Sequence, residues 1–308
     1  MTSGNLSSQV WLKPRRVAVI ARHTFTQLAR MKVFYFLGVF AVITLASNFF
    51  DLPQHMGPES DGAAVLRSIK SWSIGTMTLF SVVLSITATA LLIPKDVEDR
   101  TLYTILAKPV PRIDYLAGKL LGVAALVFVS LVAMDALMLC VLAMRTNFVL
   151  ADQMAFAAMQ HSPQEVVASM RADTLAQGPT WYLQGAVAAV FLRAVVVASM
   201  ALLISTFSTS TLFTCVVGFL AYFIGHFQAD AREAVMQMGH AGTGPVMLWM
   251  NRLVAALFPD FQMFNVIDAV IEGKMISLAH LGKLAVMAGF HSAIYLVGSW
   301  FLFSKKEF

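Results

Sequence analysis

Apolar residues gather into six runs separated by polar stretches, roughly Val33–Phe50, Ser73–Ile93, Leu120–Ala143, Ala186–Phe207, Thr211–Gln228 and Leu284–Phe303. Each has about the 20 residues that an α-helix needs to cross the ~30 Å hydrocarbon core of a bilayer at 1.5 Å per residue. The pattern predicts an all-α polytopic membrane protein with six transmembrane helices.

The stretches between the runs have helical signals of their own. Ahead of the first span, Arg15, Arg16, Arg22, Arg30 and Lys32 interleave with Val17, Val19, Ile20, Phe25 and Leu28. This spacing predicts a basic amphipathic helix over Arg15–Lys32, lying on the inner membrane surface. Between spans three and four, Ser162-Pro163-Gln164-Glu165 supplies an N-cap, a proline at the first helical position and a capping-box carboxylate, and Gly178-Pro179 stops the run. A helix over 163–177 is expected, with Val166, Val167, Met170 and Leu175 on one face, outside the bilayer or along its surface. Val246–Phe258 is apolar, too short to cross, and ended by Pro259. It reads as a re-entrant or interfacial helix.

The segment between spans two and three is the most informative. Pro94 suits a helix start, Asp96, Glu98 and Asp99 suit the positive end of a helix dipole, Lys108 suits the other end, and Pro109 prevents continuation. Leu102, Ile105 and Leu106 fall at i, i+3, i+4 and make one apolar stripe. A short amphipathic helix between two spans is expected.

Composition agrees with the pattern. The 308 residues are 58% hydrophobic and only 13% charged, against about a quarter charged in soluble domains. That excludes an ordinary water-soluble fold, and it excludes disorder. The net charge of +5 reads as a topology signal and not as a nucleic-acid footprint. With the N-terminus inside, segments 1–32, 94–119, 208–210 and 304–308 carry 13 Lys and Arg, whereas the longer outer loops 51–72, 144–185 and 229–283 carry 8. Both termini are therefore expected in the cytoplasm, with residues 1–32 as a cytoplasmic segment and 33–308 as one six-span domain. No small-residue cleavage site follows the first run, which reads as an uncleaved anchor. Cys140 and Cys215 both sit in apolar runs, so no disulfide framework or zinc spacing is available.

Few residues suggest chemistry. Asp135 and Arg193 are the only acid and base well inside the expected spans, at matched depth on consecutive helices, and an ion pair between them is expected. It would fix helix register or line a cargo path. Thr78, Ser81, Ser85 and Thr89 lie near one face of span two, as a polar pathway or as close-packing residues. Gly118-x-x-x-Gly122 is a motif for close helix approach. Met236, Met238 and His240 are soft donors suited to copper, though alternating Met is commonly apolar contact. No catalytic triad, H-E-x-x-H or paired carboxylate occurs, and His226 and His291 fall near or within spans.

The acidic segment, with Pro109-Val110-Pro111-Arg112 and Tyr115-Leu116-Ala117-Gly118-Lys119 after it, resembles the type-2 ABC exporter permeases. Glu98, Thr101-Leu102, Leu106, Pro109-Val110, Arg112 and Gly118-Lys119 carry the match, while Arg100 stands where many members have Gly. Leu257-Phe258-Pro259, Phe264-Asn265 and Gly273 are similar to the family's stretch before the last span, and the copper-enzyme-maturation and gliding-type branches are nearest. The resemblance implies a permease domain over 33–308, a second permease chain as homodimer or paralogue, and two copies of a cytoplasmic ABC ATPase subunit, in a bacterial inner membrane. ATP and Mg would belong to that partner, since no phosphate-binding G-x-x-x-x-G-K-[ST] loop occurs here. No cofactor is expected in this chain. The 94–119 segment then becomes the coupling element, with Asp96, Glu98, Asp99, Arg100, Thr101, Leu102, Ile105, Leu106, Pro109 and Arg112 as its ATPase-facing residues. Three clustered carboxylates also suit it poorly to anionic headgroups. Membrane lipid is a further partner, and Phe223, Trp249 and Phe258 could meet an apolar cargo. Two other classes stay open: a non-transporting ABC assembly that transmits force or a signal to a periplasmic partner, and a membrane-embedded enzyme using Asp135 with a neighbouring His.

Overall fold

The computed structural model describes residues 13–46, 62–98, 111–161, 163–208, 210–237, 249, 258–271, 273 and 276–305. Their order is α1 (Pro14–Ala29), α2 (Lys32–Ala46), α3 (Gly62–Glu98), α4 (Arg112–Gln160), α5 (Gln164–Ala176), α6 (Leu183–Phe207), α7 (Thr211–Gln237), a single 3-10 turn (Phe261–Phe264), α8 (Ile267–Ile271) and α9 (Leu278–Lys305). Among the described residues there is no strand, and α3, α4, α6, α7 and α9 are long and apolar enough to cross a membrane. The protein is an all-α polytopic membrane protein. Helix α2 covers the first part of the expected first span, and residues 47–50 lie outside the described residues.

The bundle is built on α3 and α6, whose apolar windows are the most buried, with α4 beside them and α7 and α9 towards the outside. Small residues permit this. Ala186, Ala189, Ala194, Ala198, Ser199 and Ala201 of α6 and Ser81, Ser85, Ala88 and Thr89 of α3 are all buried. In lipid, where hydrophobicity gives no drive for helix association, close backbone approach through such residues supplies the dispersion energy. Helix α1 packs along the start of α4 by the same device. A Cβ at Gly118 would lie 2.6 Å from Ile20 Cβ, and one at Gly122 would lie 2.5 Å from Thr24 Cβ, so only glycine admits α1 there. The Gly-x-x-x-Gly motif is thus used. Val17, Thr24 and Leu28 are buried, and Arg15, Arg16, Arg22, Arg30 and Lys32 stay exposed. One face of the expected surface helix therefore rests on protein.

Two helices overrun the spans read from hydropathy. Helix α3 passes through Pro94 and ends at Glu98, so Pro94 does not open a separate helix. A proline removes one helical hydrogen bond but does not have to end a helix whose next turn is held by other contacts, and Asp96 is so held. Helix α4 has 49 residues, roughly 70 Å at 1.5 Å per residue and over twice the bilayer core. Much of the expected outer loop 144–185 is its continuation. The chain reverses at His161, in the left-handed conformation with φ 51°, and α5 packs back along α4. The expected 163–177 helix is present, but Val166, Met170 and Leu175 on its apolar face remain exposed.

Candidate functional site

The stems of the segment between α3 and α4 are knitted together at one end of the bundle. Asp96, near the end of α3, is buried, and its Oδ2 lies 2.7 Å from Lys119 Nζ. The same oxygen accepts a 2.7 Å hydrogen bond from the Tyr115 hydroxyl. Tyr115 and Lys119 are one helical turn apart on α4, which puts both on the side facing α3, and Lys119 Nζ stands 5.5 Å from the Tyr115 ring centroid. The ring of Tyr115 stacks on Phe303 of α9, with centroids 6.0 Å apart. Arg112, the first residue of α4, donates to the carbonyl oxygens of Phe303 and, at 2.8 Å, Ser304. Those carbonyls belong to the last turn of α9, where a guanidinium complements the negative end of the helix dipole.

This corrects the expectation for two of the segment's residues. Asp96 is turned into the bundle instead of outward from a free helix, and Arg112 is bound to the end of α9. Glu98 closes α3, with its side chain outside the described residues, as are Asp99, Arg100, Thr101, Leu102, Ile105, Leu106 and Pro109. Sequence reasoning noticed Tyr115 and Lys119 only as part of a motif, and missed Phe303. A usable signal was present: a lysine at the mouth of one span, an acid just past the end of the preceding one, and a tyrosine four residues before the lysine. Asp114 was missed as well. It is fully buried in the first turn of α4, and among the described residues neither carboxylate oxygen has a hydrogen-bond partner.

The expected Asp135–Arg193 pair is not formed. Asp135 Oδ2 accepts a 2.9 Å bond from Gln184 Nε2, in the first turn of α6. Arg193, buried, donates to the carbonyl of Phe261 at 3.0 Å. The depth estimate failed because α4 continues past the membrane, so the hydropathy edge at Ala143 is not its outer end. Asp135 lies level with Gln184, and Arg193 is about 13 Å further along α6. What Arg193 holds is the stretch before the last span. Phe261 is completely buried, and Gly225 of α7 makes room for it, since a Cβ there would lie 2.8 Å from both the Phe261 ring and the Pro259 carbonyl. Asp260 Oδ1 accepts from the Gln262 amide at 3.0 Å, and Gln262 donates to Asp230 at 2.9 Å.

Two of the four hydroxyls of the α3 stripe bond to carbonyls of their own helix. Ser81, Ser85 and Thr89 are buried, Ser81 donates to the Thr78 carbonyl at 2.9 Å and Thr89 to the Ser85 carbonyl at 2.7 Å. A groove of about 550 Å³ between α2 and α3 is lined by Ala41, Trp72, Gly75, Leu79 and other residues, none of them the four of the stripe. The burial of Ser81, Ser85 and Thr89 against neighbouring helices is what close-packing residues show. Among the described residues no group of three His, Cys, Asp or Glu could hold a metal. The Met236 side chain, Met238, His240 and all of Val246–Phe258 except Trp249 and Phe258 lie outside the described residues. Phe223 and Trp249 are exposed. His291 Nδ1 lies 2.9 Å from the Met287 carbonyl, while His226 stacks on Tyr222, so neither approaches Asp135 through a described contact.

The fold is that of a polytopic all-helical membrane protein, with α3 and α4 clamped to each other at one end of the bundle. Residues 18–238 match the family model described as ABC-2 family transporter protein, and the chain belongs to that family. It is a type-2 ABC permease, and membership implies pairing with an ABC ATPase subunit. A search of curated proteins finds no match.

Proposed function

We propose that this chain is the transmembrane subunit of an ATP-driven exporter in a bacterial inner membrane, with both termini cytoplasmic. It couples ATP binding and hydrolysis by two copies of a separate ATPase subunit to movement of a cargo, and pairs with a second permease chain. The observation that carries the reading is the base of the coupling segment: the two stems that frame residues 99–110 are tied to each other and to α9. ATP binding draws the ATPase subunits together, the segment between the stems is displaced, and the permease halves shift. In this reading Glu98 meets the ATPase through its charge and Leu102 through the apolar stripe expected from the sequence.

The test is purification of the tagged chain from its native membrane in mild detergent. An ATPase subunit is expected at equal stoichiometry and is expected to be lost from the Glu98→Lys/Leu102→Asp variant. A chain that purifies alone, with or without the substitutions, overturns the reading.

A second reading rests on the outer part of α4 with α5. This helical hairpin exposes Phe148, Met154, Phe156 and Met159, more apolar surface than a water-facing element ordinarily leaves uncovered. In that reading the assembly transmits force or a signal to a periplasmic partner and moves nothing. An outer-side process that stops when the hairpin is shortened, with no cargo transported, would favour it.

A further inference from the structure

A buried ion pair is an expensive way to stabilise a helix bundle. Removing two charges from water costs several kcal/mol for each ion, and an apolar pair of similar volume commonly stabilises as well or better. What charges add is register: a pair held by direct contact and a hydrogen bond does not slide as packed alkyl groups do. Asp96 and Lys119 are both almost completely buried, 2.7 Å apart, with the Tyr115 hydroxyl on the same carboxylate oxygen. They join α3 to α4 immediately behind the segment proposed to receive the ATPase. Arg112 joins α4 to the last turn of α9, and Gly118 and Gly122 seat α1 on the same two turns.

We propose that Asp96, Tyr115 and Lys119 form a transmission clamp: positioning residues that make α1, α3, α4 and α9 respond as one body when the coupling segment is displaced. Without the clamp, displacement is absorbed by sliding of α3 against α4 and does not reach the far end of the bundle. The inference rests on the exporter reading above.

The experiment uses the full-length chain in complex with the ATPase that co-purifies with it. Cys140, exposed on α4 about 30 Å beyond Lys119, carries an environment-sensitive thiol probe in a Cys215→Ser background. Probe response to ATP with vanadate and the rate of ATP hydrolysis are read on the same preparation. Asp96→Asn or Lys119→Met alone leaves one charge of the buried pair without the other and risks misfolding, so the deciding variant is the double Asp96→Asn/Lys119→Met, which removes both charges of the pair. The clamp predicts an assembled complex that hydrolyses ATP within about two-fold of the parent, with a probe response reduced about five-fold or more, the lower end of a site-to-site coupling. A double variant with full response overturns it, because relief of the buried charge would then have been all that mattered. If the double variant does not assemble, Tyr115→Phe decides: it keeps the ring on Phe303 and removes only the hydroxyl, and an undiminished response overturns the proposal. A preparation without any ATPase refutes the exporter reading itself, a result distinct from either.

Discussion

Single residues on α4 and α6 carry consequences that hydropathy does not express. Gly122 is the sharpest case, since a side chain there has no space against Thr24. Gly122→Leu is expected to lift α1 from α4, at the ~1–3 kcal/mol typical of overpacking. Limited trypsin digestion in membranes should cut at Arg15, Arg16 and Arg22 many times faster than in the parent, while the rest of the chain stays intact. Asp135 and Arg193 give the opposite lesson. Each is bonded within its own neighbourhood, to Gln184 and to the Phe261 carbonyl, and about 13 Å of α6 separates the two levels. Asp135→Ala and Arg193→Ala should therefore destabilise additively, to within about 0.5 kcal/mol in thermal melts of the purified protein. A large coupling between the two would mean that the ion pair forms after all.

Elements show where sequence reading succeeds and where it stops. The helical identity of α1 and α5, the close approach at Gly118 and Gly122 and the apolar spans were all legible, because each follows from local spacing. The cap was not, since α5 has Pro163 at its N-cap position with no side-chain capping bond. Element lengths were not. Hydropathy ends a span where polar residues begin, yet α3 and α4 continue because tertiary contacts hold their ends: Asp96 on Lys119, and the α5 hairpin on outer α4. Nor could partners across helices be assigned, since Asp135 is separated from Gln184 by a whole hairpin of uncertain register. The hairpin's own anchor is testable. Lys70 of α3 is buried and donates to Gln177 Oε1 at 2.6 Å, and Thr174 donates to Gln153 at 3.0 Å. Gln177→Leu removes the acceptor of a buried ammonium and should cost roughly 1–3 kcal/mol. Hydrogen exchange over 164–176 should accelerate in that variant and slow again in Lys70→Met/Gln177→Leu, where no charge is stranded.

At the scale of the molecule, the two ends of the bundle are built for different tasks. One end gathers the basic helix α1, the stems of the coupling segment and the last turn of α9 around Asp96, Lys119 and Arg112. The other end projects α4 and α5 beyond the spans, with Trp181 and Tyr182 exposed at the start of α6, where amphipathic aromatic rings suit a membrane–water boundary. The excess of Lys and Arg in segments 1–32 and 94–119 is the basis, through the positive-inside rule, for the proposal that the first end faces the cytoplasm. This makes orientation a direct measurement. In a Cys140→Ser/Cys215→Ser background, Met159→Cys lies at the tip of the hairpin, where the native side chain is 80% exposed. A membrane-impermeant maleimide should label it from outside in intact spheroplasts. Lys13→Cys, exposed just ahead of α1, should label only after permeabilisation. The reverse pattern would place the coupling segment on the outside, beyond reach of cytoplasmic ATP, and would remove the exporter reading and the clamp together.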